Sequence, residues 1–307
     1  MKIAFIILTY NRNQILSDCI NTLFNNTEVK PTNVIILDDG SDAKIRNGLL
    51  DFSIKHSQDY GIDVYLNGKN QGVGYQFEKA YMLANSLEDV DIVCFIESDY
   101  IWRKFWLEDV IAVFEASPYT IAIAGTDHPD MYCREKTHNE FCKLMVNQFG
   151  EDLICRNALY KHFILPTNRG DIKVQGVSNS CGCQIIHWKR LKNILKYGDC
   201  YNTIYSTSNF WTYMDRAFHK NGTGDRKYAS DAHMSGTLSY FAERHINDMR
   251  MLFDNHFGFL SISDHSISQH ICGNGINGKI CKEGQTFILS PSWDDKYLFE
   301  DPRANKL

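Results

Sequence analysis

Along the first 125 residues, short apolar runs alternate with stretches whose hydrophobic positions recur at helical spacing. That alternation predicts β-α-β units and a mainly parallel sheet. The predicted strands are Lys2–Leu8, Asn33–Leu37, Asp63–Leu66, Asp91–Ile96 and Thr120–Ala124. Between them, Ile15, Cys19, Ile20, Leu23 and Phe24 mark one helical face, and Phe77, Ala80, Tyr81 and Ala84 mark another within a helix over Tyr75–Ser86. A third helix is expected over Phe105–Glu115, stopping before Ser117-Pro118. From Thr126 the periodicity weakens, and Thr126–Gly176 reads as polar and irregular. It is followed by an apolar segment at Cys183–His187, helices over Lys189–Lys196 and Gly236–Met251, and a late strand, Phe259–Ile262.

Each early strand runs at its carboxyl end into polar residues: Thr9-Tyr10-Asn11-Arg12, Asp38-Asp39-Gly40-Ser41, Asn67-Gly68-Lys69-Asn70 and Glu97-Ser98-Asp99. Open α/β sheets bind ligands beyond those ends, so four polar clusters at four strand ends predict one crevice.

Composition narrows the class without changing this picture. The 307 residues are 44% hydrophobic and 22% charged, which excludes disordered and fibrous chains. A chain of this length buries enough apolar surface to dispense with disulfides. The N-terminal run Ile3–Leu8 is too short for a signal-peptide core, and no later run reaches the ~18–20 apolar residues of a membrane span. A soluble, cytoplasmic protein in a bacterium or a virus-infected cell is therefore expected, with its ten cysteines reduced. Cys181-Gly182-Cys183 lacks the two-to-four-residue spacing of zinc knuckles, and Cys133, His138 and Cys142 have no matching second half. The net charge of −5 supplies no global attraction to nucleic acid.

Three clusters carry chemistry. Asp38 and Asp39 offer carboxylates for a nucleobase or ribose, and Gly40 permits a sharp turn beside them; an ordinary Asp/Gly turn explains the same residues. Glu97 and Asp99, two apart at the end of a buried strand, point the same way when extended. They can hold a hard cation such as Mg²⁺ or Mn²⁺ that in turn binds a diphosphate; the competing reading is a cap for the following helix. Asn70-Gln71-Gly72-Val73-Gly74 leads into a helix, so its amides could serve a phosphate or simply turn the chain.

Taken as a set, Ile6-Ile7-Leu8-Thr9-Tyr10-Asn11-Arg12, Val34 to Asp42, Asn70-x-Gly72 and Phe95-Ile96-Glu97-Ser98-Asp99 resemble, in order and spacing, family 2 glycosyltransferases. The resemblance implies the GT-A (nucleotide-diphospho-sugar transferase) fold, an α/β architecture with a mainly parallel central sheet flanked by helices. Residues 1–125 would form a nucleotide-sugar-binding half, and residues 126–307 an acceptor-binding half that completes the same domain. It further implies a nucleotide-diphosphate-sugar donor, UDP-linked, with Thr9, Asn11, Arg12, Asp38, Asp39, Asn70, Gly72 and Ser98 around it. Mn²⁺ or Mg²⁺ would sit on the Asp-x-Asp-like element, with Asp99 as principal ligand; Glu97 at its first position departs from the pattern. Inversion at the anomeric carbon follows from the same resemblance.

Gly258 to Ile262, then Asp264 and Ser268-Gln269-His270, look like the late strand of such enzymes, which delivers a histidine to the cation; His270 is the candidate and His265 its rival. An inverting transfer needs a carboxylate base near the acceptor hydroxyl. The acidic pair that supplies it in the family is absent, leaving Asp215, Asp231 and Asp127 as candidates. The acceptor is read as a glycan or a hydroxylated base in viral DNA, the latter because Trp188-Lys189-Arg190-Leu191-Lys192 and Trp102-Arg103-Lys104 pair basic with aromatic residues. Two other functions share such a sheet: a sugar nucleotidyltransferase, whose usual Gly-rich N-terminal loop is missing, and a non-catalytic sugar-nucleotide or glycan-binding module.

Overall fold

A computed structural model describes residues 1–12, 14–118, 120–125, 162–176, 183–197, 259–262 and 267–270. The strands are β1 (Ile3–Thr9), β2 (Asn33–Asp38), β3 (Ile62–Leu66), β4 (Ile92–Glu97), β5 (Tyr100–Trp102), β6 (Ala122–Ala124), β7 (His162–Thr167), β8 (Gly170–Gly176), β9 (Gln184–Ile186), β10 (Phe259–Ile262) and β11 (Ser268–His270). The helices are α1 (Gln14–Asn25), α2 (Ala43–His56), α3 (Val73–Ser86), α4 (Trp106–Ala116) and α5 (Trp188–Tyr197).

Nine strands form one sheet in the order β3-β2-β1-β4-β9-β6-β10-β8-β7, and β5 pairs with β11 separately. Strands β1 to β4 are mutually parallel, β9 is antiparallel to both β4 and β6, and β8 is antiparallel to both β10 and β7. Seven of the nine strands therefore share a direction, with β8 and β9 reversed. Strands beyond residue 160 continue the sheet that the first 125 residues begin.

Side-chain alternation fixes the two faces. Ile3, Phe5 and Ile7 of β1, Val34 and Ile36 of β2, and Ile92, Cys94 and Ile96 of β4 join one buried cluster with α1 and α4. Phe5 and Trp106 lie with ring centroids 5.7 Å apart, and Trp102 and Trp106 4.3 Å apart. Burying each such side chain stabilises the fold by about 1.5–3 kcal/mol. On Phe95, Tyr81 of α3 stacks at 4.4 Å, with Trp188 of α5 beside both. Every residue of β1 is buried, as expected of a central parallel strand whose apolar run does not alternate.

Two elements depart from the sequence expectations. Helix α2 goes unannounced because only Leu49 of its fourteen residues is buried, leaving almost no apolar stripe to detect. The stretch expected to be irregular up to Gly176 contains the β7–β8 hairpin, closed by Asn168-Arg169 and by Gly170 at φ 96. Its alternation is legible in β8, where Ile172 and Val174 are buried, whereas Ile164 on β7 faces outward at 55% exposure. The hairpin is tied to α4 by Asp109, which accepts from buried Arg103 at 2.6 Å and from Arg169 at 3.0 Å. The predicted helix Gly236–Met251 lies outside the described residues.

Candidate functional site

The register of the parallel strands brings three polar clusters to one edge. Thr9 sits opposite Asp38, and Leu8 lies between Leu37 on one side and Glu97 on the other. The clusters nonetheless differ in what their side chains do.

At the β2 end the side chains hold loops. Asp39, 1% exposed, accepts from the amides of Gln71 at 3.0 Å and Gly72 at 2.7 Å, and from Asn67 Nδ2 at 2.9 Å. Lys79 of α3 in turn donates to Asn67 at 2.9 Å. The Asp39 carboxylate thus occupies the anion position where the chain turns into α3, favoured there by the helix dipole. Gln71 and Gly72 direct their amides at Asp39, which anchors that loop. Asp38, also 1% exposed, accepts from Ser41 N at 2.9 Å. Asn11, at φ 47, receives Asp42 N on its side-chain oxygen, while its own amide donates to Ser41 Oγ at 2.7 Å. The loops after β1 and β2 are therefore locked together.

Gly40 completes the lock. It has φ 79, and a Cβ built there would lie 2.4 Å from the carbonyl carbon of Lys69. Its necessity arises from the loop after β3 lying against it, a closer constraint than the ligand-side turn expected from the sequence. Gln76 of α3, 6% exposed, reaches under the edge and donates to the carbonyls of Thr9 at 2.8 Å and Leu37 at 3.2 Å. The sequence signal for it is a polar residue flanked by the apolar positions of a buried helix face. Thr9 Oγ1 and Asp38 Oδ1 are buried without a hydrogen-bond partner among the described residues.

At the β4 end the acids are more open. Glu97 and Asp99 are half-buried, flanking Ser98, which is 5% exposed and donates its amide to Leu8. Asp99 accepts from Arg12 Nη2 at 3.4 Å, the two side chains being 13% and 28% exposed. Neither acid caps the following helix, since α4 starts at Trp106 behind Phe105, so the capping alternative falls away. Beneath the junction two thiols grip the backbone of Glu97: Cys19 Sγ donates to its carbonyl at 3.7 Å, and Cys183 Sγ accepts from its amide at 3.4 Å. Burial pushes the Cys19 thiol up to about 12 and Cys183 well above the ordinary range. Both are protonated packing groups rather than nucleophiles or metal ligands. Cys94 is likewise buried and free.

The late strand arrives at the same place. β11 pairs antiparallel with β5 so that His270 lies opposite Tyr100, the residue after Asp99. Ser268 Oγ anchors it to the carbonyl of Gly125 at 2.6 Å. Among the described residues no cluster of three His, Cys, Asp or Glu side chains is assembled for a metal. The donors that converge here, two carboxylates and the backbone position of a histidine, nonetheless fit a hard divalent cation. Asp215, Asp231, Asp127 and His265 lie outside the described residues. Asn70 is half-buried on the loop that Asp39 holds.

The basic and aromatic clusters have structural tasks. Arg190 donates to the carbonyls of Phe114, Ser117 and Thr120, closing the end of α4. Trp188 and Trp102 are buried, and Arg103 is paired with Asp109. Arg103 and Arg190 are thereby withdrawn from the phosphate contacts that the sequence pattern suggested. Among the described residues, no helix is long and apolar enough to cross a membrane.

A glucosyl-dolichyl phosphate glucuronosyltransferase of Haloferax volcanii is 24% identical over 137 residues, 44% of this chain and 41% of that one. An uncharacterized glycosyltransferase of Nostoc is 28% identical over 117 residues, 38% and 34% of the two chains. The chain thus spans about two-fifths or less of the length of these curated relatives. Among solved structures, the mannosyltransferase PcManGT of Pyrobaculum calidifontis in complex with GDP-Man and Mn²⁺ aligns with TM-score 0.42 at 11% identity, covering 82% of this chain and 76% of that one. TarS of S. aureus with UDP-GlcNAc aligns with TM-score 0.34 at 21% identity, covering 40% and 34%. The profile described as glycosyl transferase family 2 matches residues 4–174, from the first strand through the β7–β8 hairpin. With more than half of its length matched and its polar strand ends on one edge of a mainly parallel sheet, the chain belongs to glycosyl transferase family 2 and has the GT-A fold.

Proposed function

We infer that the chain transfers a sugar from a nucleotide-diphosphate sugar, UDP-linked, to an acceptor hydroxyl, with inversion and with Mn²⁺ or Mg²⁺ bound. One observation carries the reading: Glu97 and Asp99 are half-buried around the end of β4, whereas Asp38 and Asp39 at the end of β2 are 1% exposed. Asp99 would hold the cation with Glu97, and His270 would add an imidazole from β11. When bound, the cation offsets the charge that develops on the departing diphosphate. Arg12, which pairs with Asp99, would bind a diphosphate oxygen and balance the acid when no cation is present. The locked loops after β1, β2 and β3 give the nucleoside a rigid floor, and preorganised polar groups cost little reorganisation on binding.

A carboxylate on the face opposite the diphosphate would take the acceptor proton; Asp215 and Asp231 are the candidates, with Asp127 behind them. The structural tasks of Arg190, Arg103 and both tryptophans favour a glycan acceptor over DNA. The test is a donor panel: purified protein, nucleotide sugars and Mn²⁺ or Mg²⁺, with release of nucleoside diphosphate followed. Turnover of a UDP-sugar that disappears with chelator and in Asp99→Ala is expected. Binding of the donor with no turnover under any acceptor would leave a binding module instead, and release of pyrophosphate would indicate a nucleotidyltransferase.

A further inference from the structure

Between α1 and α2 lies an open cleft of about 540 Å³. Its size lies within the roughly 300–1,000 Å³ of small-molecule sites. Leu16, Ile20 and Leu49, each at most 7% exposed, and half-buried Phe52 supply an apolar lining. Lys44, Lys55, His56 and Arg12 supply basic groups, against Asp51 as the acid of the lining. In a chain of net charge −5 this local excess of cations runs against the overall balance.

Gly48 stands inside α2 on the lining of this cleft, is itself exposed, and a Cβ built on it would meet nothing within 4 Å. Neither crowding nor a positive φ requires glycine there, and glycine within a helix weakens it relative to alanine. What the missing side chain does provide is open space on the cleft wall.

We propose that this cleft is a binding site for a phosphate monoester carrying an apolar or aromatic group, and that Arg12 links it to Asp99. The apolar body would lie on Leu16, Ile20 and Phe52, and the phosphate among Lys44, Lys55 and Arg12. Arg12 both lines the cleft and donates to Asp99 at 3.4 Å, so an anion that draws its guanidinium inward leaves Asp99 more available to a cation. By linkage, a cation on Asp99 would strengthen anion binding by the same factor. This coupling, unlike the site itself, rests on the proposed role of Asp99.

The test is titration calorimetry with phenyl phosphate on the whole chain, without donor, using inorganic phosphate and phenol as part-ligands. Phenyl phosphate should bind more tightly than either part. Lys44→Glu with Lys55→Glu should weaken it at least tenfold, and so should Gly48→Leu, which fills the space while melting no earlier than the native chain. Absence of binding at millimolar concentration, or equal affinity in these variants, overturns the site. In a second arm, saturating phenyl phosphate should lower the Mn²⁺ concentration needed for half-saturation by threefold or more. An unmoved Mn²⁺ affinity overturns the link through Arg12 and leaves the cleft standing.

Discussion

Two strand ends, those of β2 and β4, flank β1 on this sheet; each carries a pair of acids, and the pairs differ in burial and in partners. Asp38 and Asp39 after β2 are 1% exposed and receive backbone amides; Glu97 and Asp99 around the end of β4 remain half-buried. A buried carboxylate that accepts several N–H groups, as Asp39 does, braces the chain, whereas a more open one keeps surface that a ligand can reach. Acidic residues at a strand end are thus not a site by composition. Burial and partners decide.

The comparison can be broken most sharply by moving each acid in turn. Asp99→Ala should lower donor turnover by about a hundredfold or more, the scale of removing a charge-stabilising group, while the thermal midpoint stays near native. Asp39→Ala should do the reverse in order: it leaves the amides of Gln71 and Gly72 without their acceptor and should cost about 3 kcal/mol in a urea titration, with activity falling as folded protein is lost. A stable, inactive Asp39→Ala would mean that this acid also meets the donor.

Gly40→Ala sharpens the same point through the backbone. With φ 79 and the Lys69 carbonyl carbon 2.4 Å from the new methyl, it should cost about 1–3 kcal/mol and loosen the β3 loop, detectable by faster hydrogen exchange at Gln71 and Gly72. The smallest effect concerns pH. His187, packed edge-on to Phe114 and 9% exposed, has its pKa lowered from 6.5 to about 4, chiefly by burial and then by Arg190. The unfolded chain therefore binds the extra proton between those values, so stability should decline as pH falls from 6.5 toward 4 and this contribution should level off below. His187→Phe should flatten that slope without touching turnover.

Much of this arrangement is legible in the amino-acid sequence, for physical reasons that can be named. Strands β1, β2 and β4 are buried on both faces and appear as continuous apolar runs, and their polar exits announce the crevice. Helix α2 is not legible, because a helix with one buried residue carries no stripe. The difference in burial and partners between Asp39 and Asp99 is equally invisible: it depends on Asn67, Gln71 and Gly72 arriving from a loop some thirty residues away. The role of Cys183 comes from still farther off, through an antiparallel strand inserted between β4 and β6.

Gln76 carries a consequence for how the crevice can move. One amide from α3 grips the last carbonyl of β1, on Thr9, and the penultimate carbonyl of β2, on Leu37, at a level where the ladder between those strands is ending. The gap between the two loop bases is therefore gauged by a helix on one face of the sheet, like the jaw of a caliper. Any slide of α3 along its axis would reach both loops at once, so this end of the crevice would widen or narrow as a unit.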